Sequence, residues 1–156
     1  MTRNDVVTAG AIAGIGLAAG LAGTLAMTLS QKAEMALSGR APSKTPAKAV
    51  EAASGVDVPA EREDDVSLWT HLGYGTALGL GLAALAGVPE PARGALFGAG
   101  AWAGGAGLQV ALGVNDPPTE WDAAELATDL LHHIVYAGVA AAVFSGLTAL
   151  LRDRGD

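Results

Sequence analysis

Charged and uncharged stretches alternate along the chain in a pattern that predicts membrane-spanning helices. Four segments contain no Lys, Arg, Asp or Glu, namely residues 6–29, 66–88, 95–114 and 130–151. At about 1.5 Å of rise per residue, each segment is long enough as a helix to cross a hydrocarbon core of about 30 Å. We therefore expect an all-α polytopic membrane protein with four transmembrane helices in a single transmembrane domain over residues 1–156.

The polar connections add short helices to this picture. The long polar loop at residues 30–65 contains the run Ser43 to Pro46, which predicts the start of a short amphipathic helix that ends at Gly55. Residues 119–122 resemble a capped helix start that leads into the fourth span. The first span exceeds the apolar length of a signal peptide, so we interpret it as a retained helix.

The two halves of the chain repeat each other. Five glycines of the first span recur in the third at a shift of 84 residues, and the second and fourth spans align at a shift of 62. The glycines are Gly10, Gly14, Gly16, Gly20 and Gly23, which fall on Gly94, Gly98, Gly100, Gly104 and Gly107. Leu68, His71 and Tyr74 fall on Leu130, His133 and Tyr136. We therefore expect two repeated helical hairpins in a parallel arrangement.

Glycines four residues apart allow helix backbones to approach closely, so we expect these ten to mediate helix packing. Spans one and three should form the tightly packed centre, and Gly100→Leu should destabilise the fold through overpacking. A glycine-zipper pore is the alternative use of the same pattern. Spare glycine surface also leads us to expect a homodimer.

Composition narrows the possible functions. Apolar residues make up 51% of the chain and charged residues 16%, with a mean hydropathy of +0.37, which excludes a disordered chain. The absence of cysteine excludes disulfides and thiolate chemistry. A net charge of −7 makes nucleic acid an improbable partner, and the lipid bilayer is the expected one. With no recognisable catalytic motif, we expect no enzymatic activity, and most simply no cofactor.

Charge also bears on orientation. With four spans, the termini and the second loop share one face, which carries four basic and four acidic residues, while the other face carries five basic and twelve acidic residues. Arg93 and Arg152 lie at span ends on the first face, and the third loop has no Lys or Arg. By the positive-inside rule, which counts basic residues near span ends, we expect both termini to be cytoplasmic.

The candidate site consists of polar residues inside the spans. Ionisable residues at membrane depth are costly and are functional candidates by default. His71 and His133 occupy matching positions, Tyr74 and Tyr136 follow each at a spacing of three, and Asp129 precedes His133 by one helical turn. Asp129 is placed to accept the imidazole proton of His133, as carboxylates do beside metal-bound histidines.

Three interpretations of this site remain open. The histidines hydrogen-bond between helices and stabilise the bundle, they bind a metal ion or haem, or they bind protons. His132, which is adjacent to His133 but turned away from it on a helix, is expected at the membrane interface.

Part of the chain resembles the YagU family of small bacterial inner-membrane proteins, a family of unknown function. The matching features are Thr70-His71, Arg93-Gly94-Ala95, Gly113, Pro117-Pro118, Trp121 and the run Asp129-x-x-x-His133-x-x-Tyr136. The resemblance covers about residues 66–140 and implies an acidic residue and histidines at Asp129, His133 and His71. The chain lacks most of the family's aromatic residues and has a different first loop. One member of the family is linked to acid resistance, and the resemblance implies an inner-membrane location and a shape far more than a mechanism.

We therefore expect a small inner-membrane protein with a structural or stress-related role, such as acid tolerance. The alternative is a protein that binds a metal, haem or protons, or a small transporter or channel, and that uses His71, His133 and Asp129.

Overall fold

The computed structural model describes residues 3–153, and side chains from Ala9 onward. This part of the chain is helical apart from its connections, as expected for an all-α protein. The helices are α1 Arg3–Ser38, α2 Thr45–Ser54, α3 Glu63–Leu78, α4 Leu80–Ala84, α5 Ala92–Ala111 and α6 Ala123–Asp153. A short 3-10 turn at Ala60–Arg62 leads into α3.

Helix α1 continues well past the end of the predicted first span. The segment 31–37 contains mostly Ala, Leu, Met, Glu, Lys and Gln, which are strong helix formers, so the polar chain stays helical up to Ser38. Gly39 then ends the helix in the left-handed conformation with a φ of 74°. The first part of the expected loop at residues 30–65 is therefore helix, because charge marks the end of an apolar span and not the end of a helix.

The predicted short helix in the loop is confirmed as α2. Gly55 follows it with a φ of 70°, and the Gly55 N–H donates to the Glu51 carbonyl. Helix α2 packs against the start of α3, where the backbone N–H of Ala47 donates to Ser67 Oγ at 3.2 Å. The ammonium of Lys44 pairs with the carboxylate of Glu63 at 2.5 Å, and this interaction raises the pKa of Lys44.

The predicted second span is divided at Gly79 into α3 and α4. The N–H of Gly79 donates to the Thr76 carbonyl at 3.1 Å, and this spacing of three residues tightens the chain locally. Gly79 also lies against the backbone of Gly16 in α1, where a side chain would not fit. The helix is thus interrupted where it comes closest to α1.

The most extensive helix contact joins α1 and α6. They are antiparallel, because Ser30 near the end of α1 faces His132 near the start of α6, and Gly23 contacts Tyr136. Helices α3 and α4 pack on α1, and α5 packs on α6 and against α4. The expectation that spans one and three form the tightly packed centre is wrong. Helix α5, which corresponds to span three, packs against α6 and makes no substantial contact with α1.

The glycines of the two predicted copies have different surroundings. Gly16, Gly20 and Gly23 are buried in close helix contacts, and Gly94 and Gly98 lie against α6. A Cβ would meet no atom within 4 Å at Gly10, Gly14, Gly100, Gly104 and Gly107. The expected overpacking by Gly100→Leu therefore lacks a basis within the described chain, and the packing role assigned to these five glycines is wrong for contacts inside the protomer.

Two helices of the described residues are long and apolar enough to cross a membrane. They are the segments Ala9–Ser38 of α1 and Ala123–Asp153 of α6. Helices α3 and α4 are individually too short, and α5, with 20 residues, is not among the candidate spans. Length and composition thus identify two candidate spans where the charge pattern predicts four.

Candidate functional site

The two predicted histidines lie on different helices and have different surroundings. His71 lies in α3, where its Nε2 atom is buried and has no hydrogen-bond partner among the described residues. His133 lies in α6, half-buried, with Nδ1 at 2.9 Å from the backbone carbonyl of Asp129. The matching sequence positions therefore do not produce matching environments.

The carboxylate of Asp129 mainly joins two helices. Its Oδ2 atom accepts a hydrogen bond from Trp102 Nε1 of α5 at 2.8 Å, whereas His133 Nδ1 lies 3.4 Å from the same oxygen. The closest partner of the His133 ring is the Asp129 backbone carbonyl. The expected proton acceptor for His133 is therefore the main chain rather than the carboxylate, because the carboxylate is held by the indole.

The two predicted tyrosines also differ. Tyr136 is buried, and its hydroxyl donates to the carbonyl of Gly75 in α3 at 2.7 Å. Tyr136 also stacks in a tilted arrangement on Phe97 of α5, with ring centroids 5.5 Å apart. Tyr74 is exposed and makes no hydrogen bond through its hydroxyl within the described residues. Only Tyr136 therefore contributes to the interior.

The predicted metal ligands do not form a cluster. Within residues 3–153, no group of three or more His, Asp or Glu side chains is arranged to hold a metal ion. His71, His133 and Asp129 therefore do not provide a three-ligand metal site. Binding of a metal ion by His71 and His133 alone, or of haem between them, stays a prediction.

A further titratable side chain, that of His132, was expected at the interface and is instead buried. It is 3% exposed and lies between α6 and α1, with Nδ1 at 2.9 Å from Ser30 Oγ. Its Nε2 atom is buried, lacks a hydrogen-bond partner among the described residues and lies 3.9 Å from a carboxylate oxygen of Glu34. Glu34 is itself paired with Arg40 at 2.6 Å. A proton taken up at Nε2 would place a buried positive charge beside this ion pair.

A signal for His132 is present in the sequence. His132 precedes Tyr136 by four residues, and the buried positions of α6 continue at that spacing through Ala140, Phe144 and Thr148. Residues four apart share a helix face, so the row that contains Tyr136 contains His132. The spacing of three, which pairs Tyr136 with His133, does not follow this buried row.

We compared the chain with known proteins at three levels. No family model, no curated protein and no solved structure matches it. The resemblance to the YagU family therefore stays a prediction from the quoted motifs.

Proposed function

We propose that the chain is a small integral protein of the bacterial inner membrane that crosses the bilayer four times and has a structural or stress-related role without catalysis. The observation that carries this proposal is the exposure of the apolar helices. In the most apolar windows of α1 and α6, only 33% and 22% of the residues are buried. A core helix of a soluble protein would be mostly buried, so lipid is the solvent that suits these surfaces.

The outer face of α1 shows the same property in detail. Leu17, Leu21, Leu25 and Leu29 are all exposed and follow one another at a spacing of four. Residues at this spacing form a continuous row on one helix face, so the row presents only leucine side chains. On α6, Leu131, Ile134 and Leu150 are likewise exposed. Such surfaces support contact with acyl chains.

The antiparallel order of the helices supports four spans rather than two. Gly20 of α1 lies against Gly75 of α3, Gly98 of α5 lies against Ala137 of α6, and each pair runs in opposite directions. Helices α3 and α4 together pack along α1, and α5 packs along α6. If α1 and α6 cross the bilayer, the helices packed along them lie at the same depth.

Single-cysteine labelling tests the location and the number of spans, and the chain has no native cysteine to interfere. We choose Ser54→Cys in α2, Gly87→Cys between α4 and α5, and Leu21→Cys on α1, all at exposed positions. With four spans and cytoplasmic termini, a membrane-impermeant maleimide labels the Ser54→Cys variant in intact cells. It labels the Gly87→Cys variant only after permeabilisation, and the Leu21→Cys variant in neither condition.

Other labelling patterns separate the alternatives. With only α1 and α6 crossing the bilayer, Ser54→Cys and Gly87→Cys lie on one side and label alike. Recovery of the protein in the soluble fraction, with Leu21→Cys labelled, would contradict the membrane location.

Within this role, the surroundings of His132 support a response to acid. The ring joins α6 to Ser30 of α1, and the charged or titratable groups near it are Glu34, Arg40, Asp129 and His133. Charging a buried ring costs free energy unless a partner compensates it, and Glu34 already pairs with Arg40. We infer that acid weakens the contact between α1 and α6.

The pH dependence of thermal unfolding in mild detergent tests this response. Between about pH 7.5 and about pH 5.5, which bracket the ordinary histidine pKa of about 6.5, we expect the melting temperature of the unmodified protein to fall by a few degrees. His132→Gln, which cannot be charged, should reduce this dependence, and the other buried ring without a partner at Nε2, that of His71, accounts for the remainder. The matched control His133→Gln removes the adjacent, half-exposed ring and should keep it. An equal fall in the His132→Gln variant would contradict the assignment.

A further inference from the structure

A second polar cluster lies at the end of the bundle opposite His132. Arg93, in the first turn of α5, has a side chain that is only 9% exposed. Its Nε atom donates to Glu90 Oε1 at 3.0 Å, and its Nη2 atom donates to Ser145 Oγ of α6 at 2.9 Å. The guanidinium also lies 5.1 Å from the ring centre of Phe144. These contacts fix its position and leave Nη1 without a partner among the described residues.

An open cavity adjoins this cluster. It has a volume of about 370 Å³ and lies between the connection of α4 to α5 and the last turns of α6. Arg93 and Ser145 line one part of it, and Arg152, which is exposed, lines another. Cavities of this size accommodate small ligands and headgroups.

The charges in the cavity wall favour an anion. Among the described residues, the cavity lining contains two arginines, Arg93 and Arg152, and one carboxylate, that of Glu90. Glu90 is already occupied, because Oε1 accepts from Arg93 and Ser145, and Oε2 lies 3.3 Å from the N–H of Gly94. Glu90 thus orients Arg93, and a positive charge remains for a ligand. Guanidinium groups match the geometry of phosphate oxygens.

An apolar groove lies next to this cavity along the same helix. Leu96 and Phe97 follow Arg93 by three and four residues, so they share its side of α5. Together with Leu85 of the preceding segment, they line a groove of about 270 Å³ between α4 and α5. A phosphate at Arg93 therefore has a hydrocarbon-compatible surface one helical turn away.

We propose that the cavity binds the phosphate of an anionic phospholipid headgroup through Arg152 and Nη1 of Arg93, with an acyl chain along the adjacent groove. This proposal rests on the membrane location proposed above and on the cytoplasmic side assigned to this end, since basic pockets between spans on that side bind anionic headgroups.

Native mass spectrometry of the full-length protein in mild detergent tests the proposal. Phosphatidylglycerol and phosphatidylcholine are added in parallel, and inorganic phosphate is added in a third series. We expect one phosphatidylglycerol to be retained in preference to phosphatidylcholine. Arg152→Gln should reduce its retention about tenfold, as expected for the loss of one charge-assisted hydrogen bond. Arg152 is exposed, so the variant keeps the fold. The control Arg62→Gln, an exposed arginine at the other end, should bind like the unmodified protein.

Each remaining outcome overturns the lipid site. Equal retention of the two lipids, or unchanged binding by Arg152→Gln, removes the specific role of the arginines. Saturation by inorganic phosphate without lipid retention assigns the cavity to a free anion. If the protein fractionates with membranes but shows no lipid preference, this inference fails while the membrane location stands. Recovery in the soluble fraction without detergent removes both.

Discussion

At the scale of single residues, the hydroxyl of Tyr136 connects two helices that otherwise hardly touch. It extends from α6 to the carbonyl of Gly75 in α3, beside the row of contacts between α3 and α1. A buried carbonyl without this donor would lose a hydrogen bond that water cannot replace. Tyr74, which matches Tyr136 in the repeat, is exposed and has no such partner in the described chain.

Tyr136→Phe should therefore lower the free energy of unfolding by about 1 kcal/mol, because it removes the donor and leaves the Gly75 carbonyl unsatisfied. Tyr74→Phe is the matched control and should change it little. Reversible unfolding in detergent, followed by far-UV circular dichroism, measures both. Equal effects of the two substitutions would show that the hydrogen bond contributes nothing specific.

The sequence identified the titratable and aromatic residues inside the spans but not which of them face inward. A soluble helix reveals its buried face by alternating apolar and polar sides. From residue 134 to residue 144, helix α6 is apolar on every side apart from Tyr136, so the sequence does not distinguish its inner face from its outer face. Adjacent positions such as His132 and His133 differ by about 100° in direction, and only the packing of α1 distinguishes them.

At the scale of helices, the glycines of α1 determine how closely its neighbours approach. A Cβ at Gly20 would lie 2.6 Å from the carbonyl oxygen of Thr76, and one at Gly16 would lie 2.7 Å from that of Gly79. Both obstacles are backbone atoms, which cannot turn away as a flexible side chain can. The contact of α1 with α3 and α4 therefore requires glycine at these positions.

Gly20→Ala should destabilise the protein by about 1–3 kcal/mol, because α1 and α3 must move apart to admit one methyl group. Gly104→Ala, at the matching position of the second copy, has no atom within 4 Å of the added methyl and should be neutral or slightly stabilising. Thermal unfolding of the two variants under identical detergent conditions measures the difference. Similar losses in both would indicate that Gly104 is covered by a contact outside the protomer.

The presence of the helices could be predicted from the sequence, whereas the residues at which they begin and end could be predicted only in part. The absence of charge located the four apolar segments, and Gly55 with the run Ser43 to Pro46 located α2. The extension of α1 to Ser38 follows from helix propensity, which a reading by charge does not include. The interruption at Gly79 depends on the approach of Gly16, and no local pattern encodes that contact.

At the scale of the whole molecule, α1 and α6 make the most extensive helix contact, α3 and α4 pack on α1, α5 packs on α6, and α4 contacts α5. A two-fold repeat would make the contact of the first span with the fourth equivalent to that of the third with the second. In the structure the first and fourth spans, which are α1 and α6, contact each other extensively. The second and third spans meet mainly where α4 contacts α5. Matching glycines thus do not determine neighbours, which depend on packing over the full length of each helix. The homodimer stays a prediction, for which the open glycines of α5 offer a close-approach face.

The length of α1 has a mechanical consequence. Its 36 residues extend over about 54 Å, nearly twice the hydrocarbon thickness of about 30 Å. If the leucine row lies in lipid, the segment from Ser30 to Ser38 projects beyond it as a rigid rod continuous with the membrane-embedded part. A tilt of α1 about its glycine contacts would therefore be transmitted to the outer end of the helix without loss. In that case, a small displacement of α1 within the bilayer would become a larger one at Ser38, in the aqueous phase.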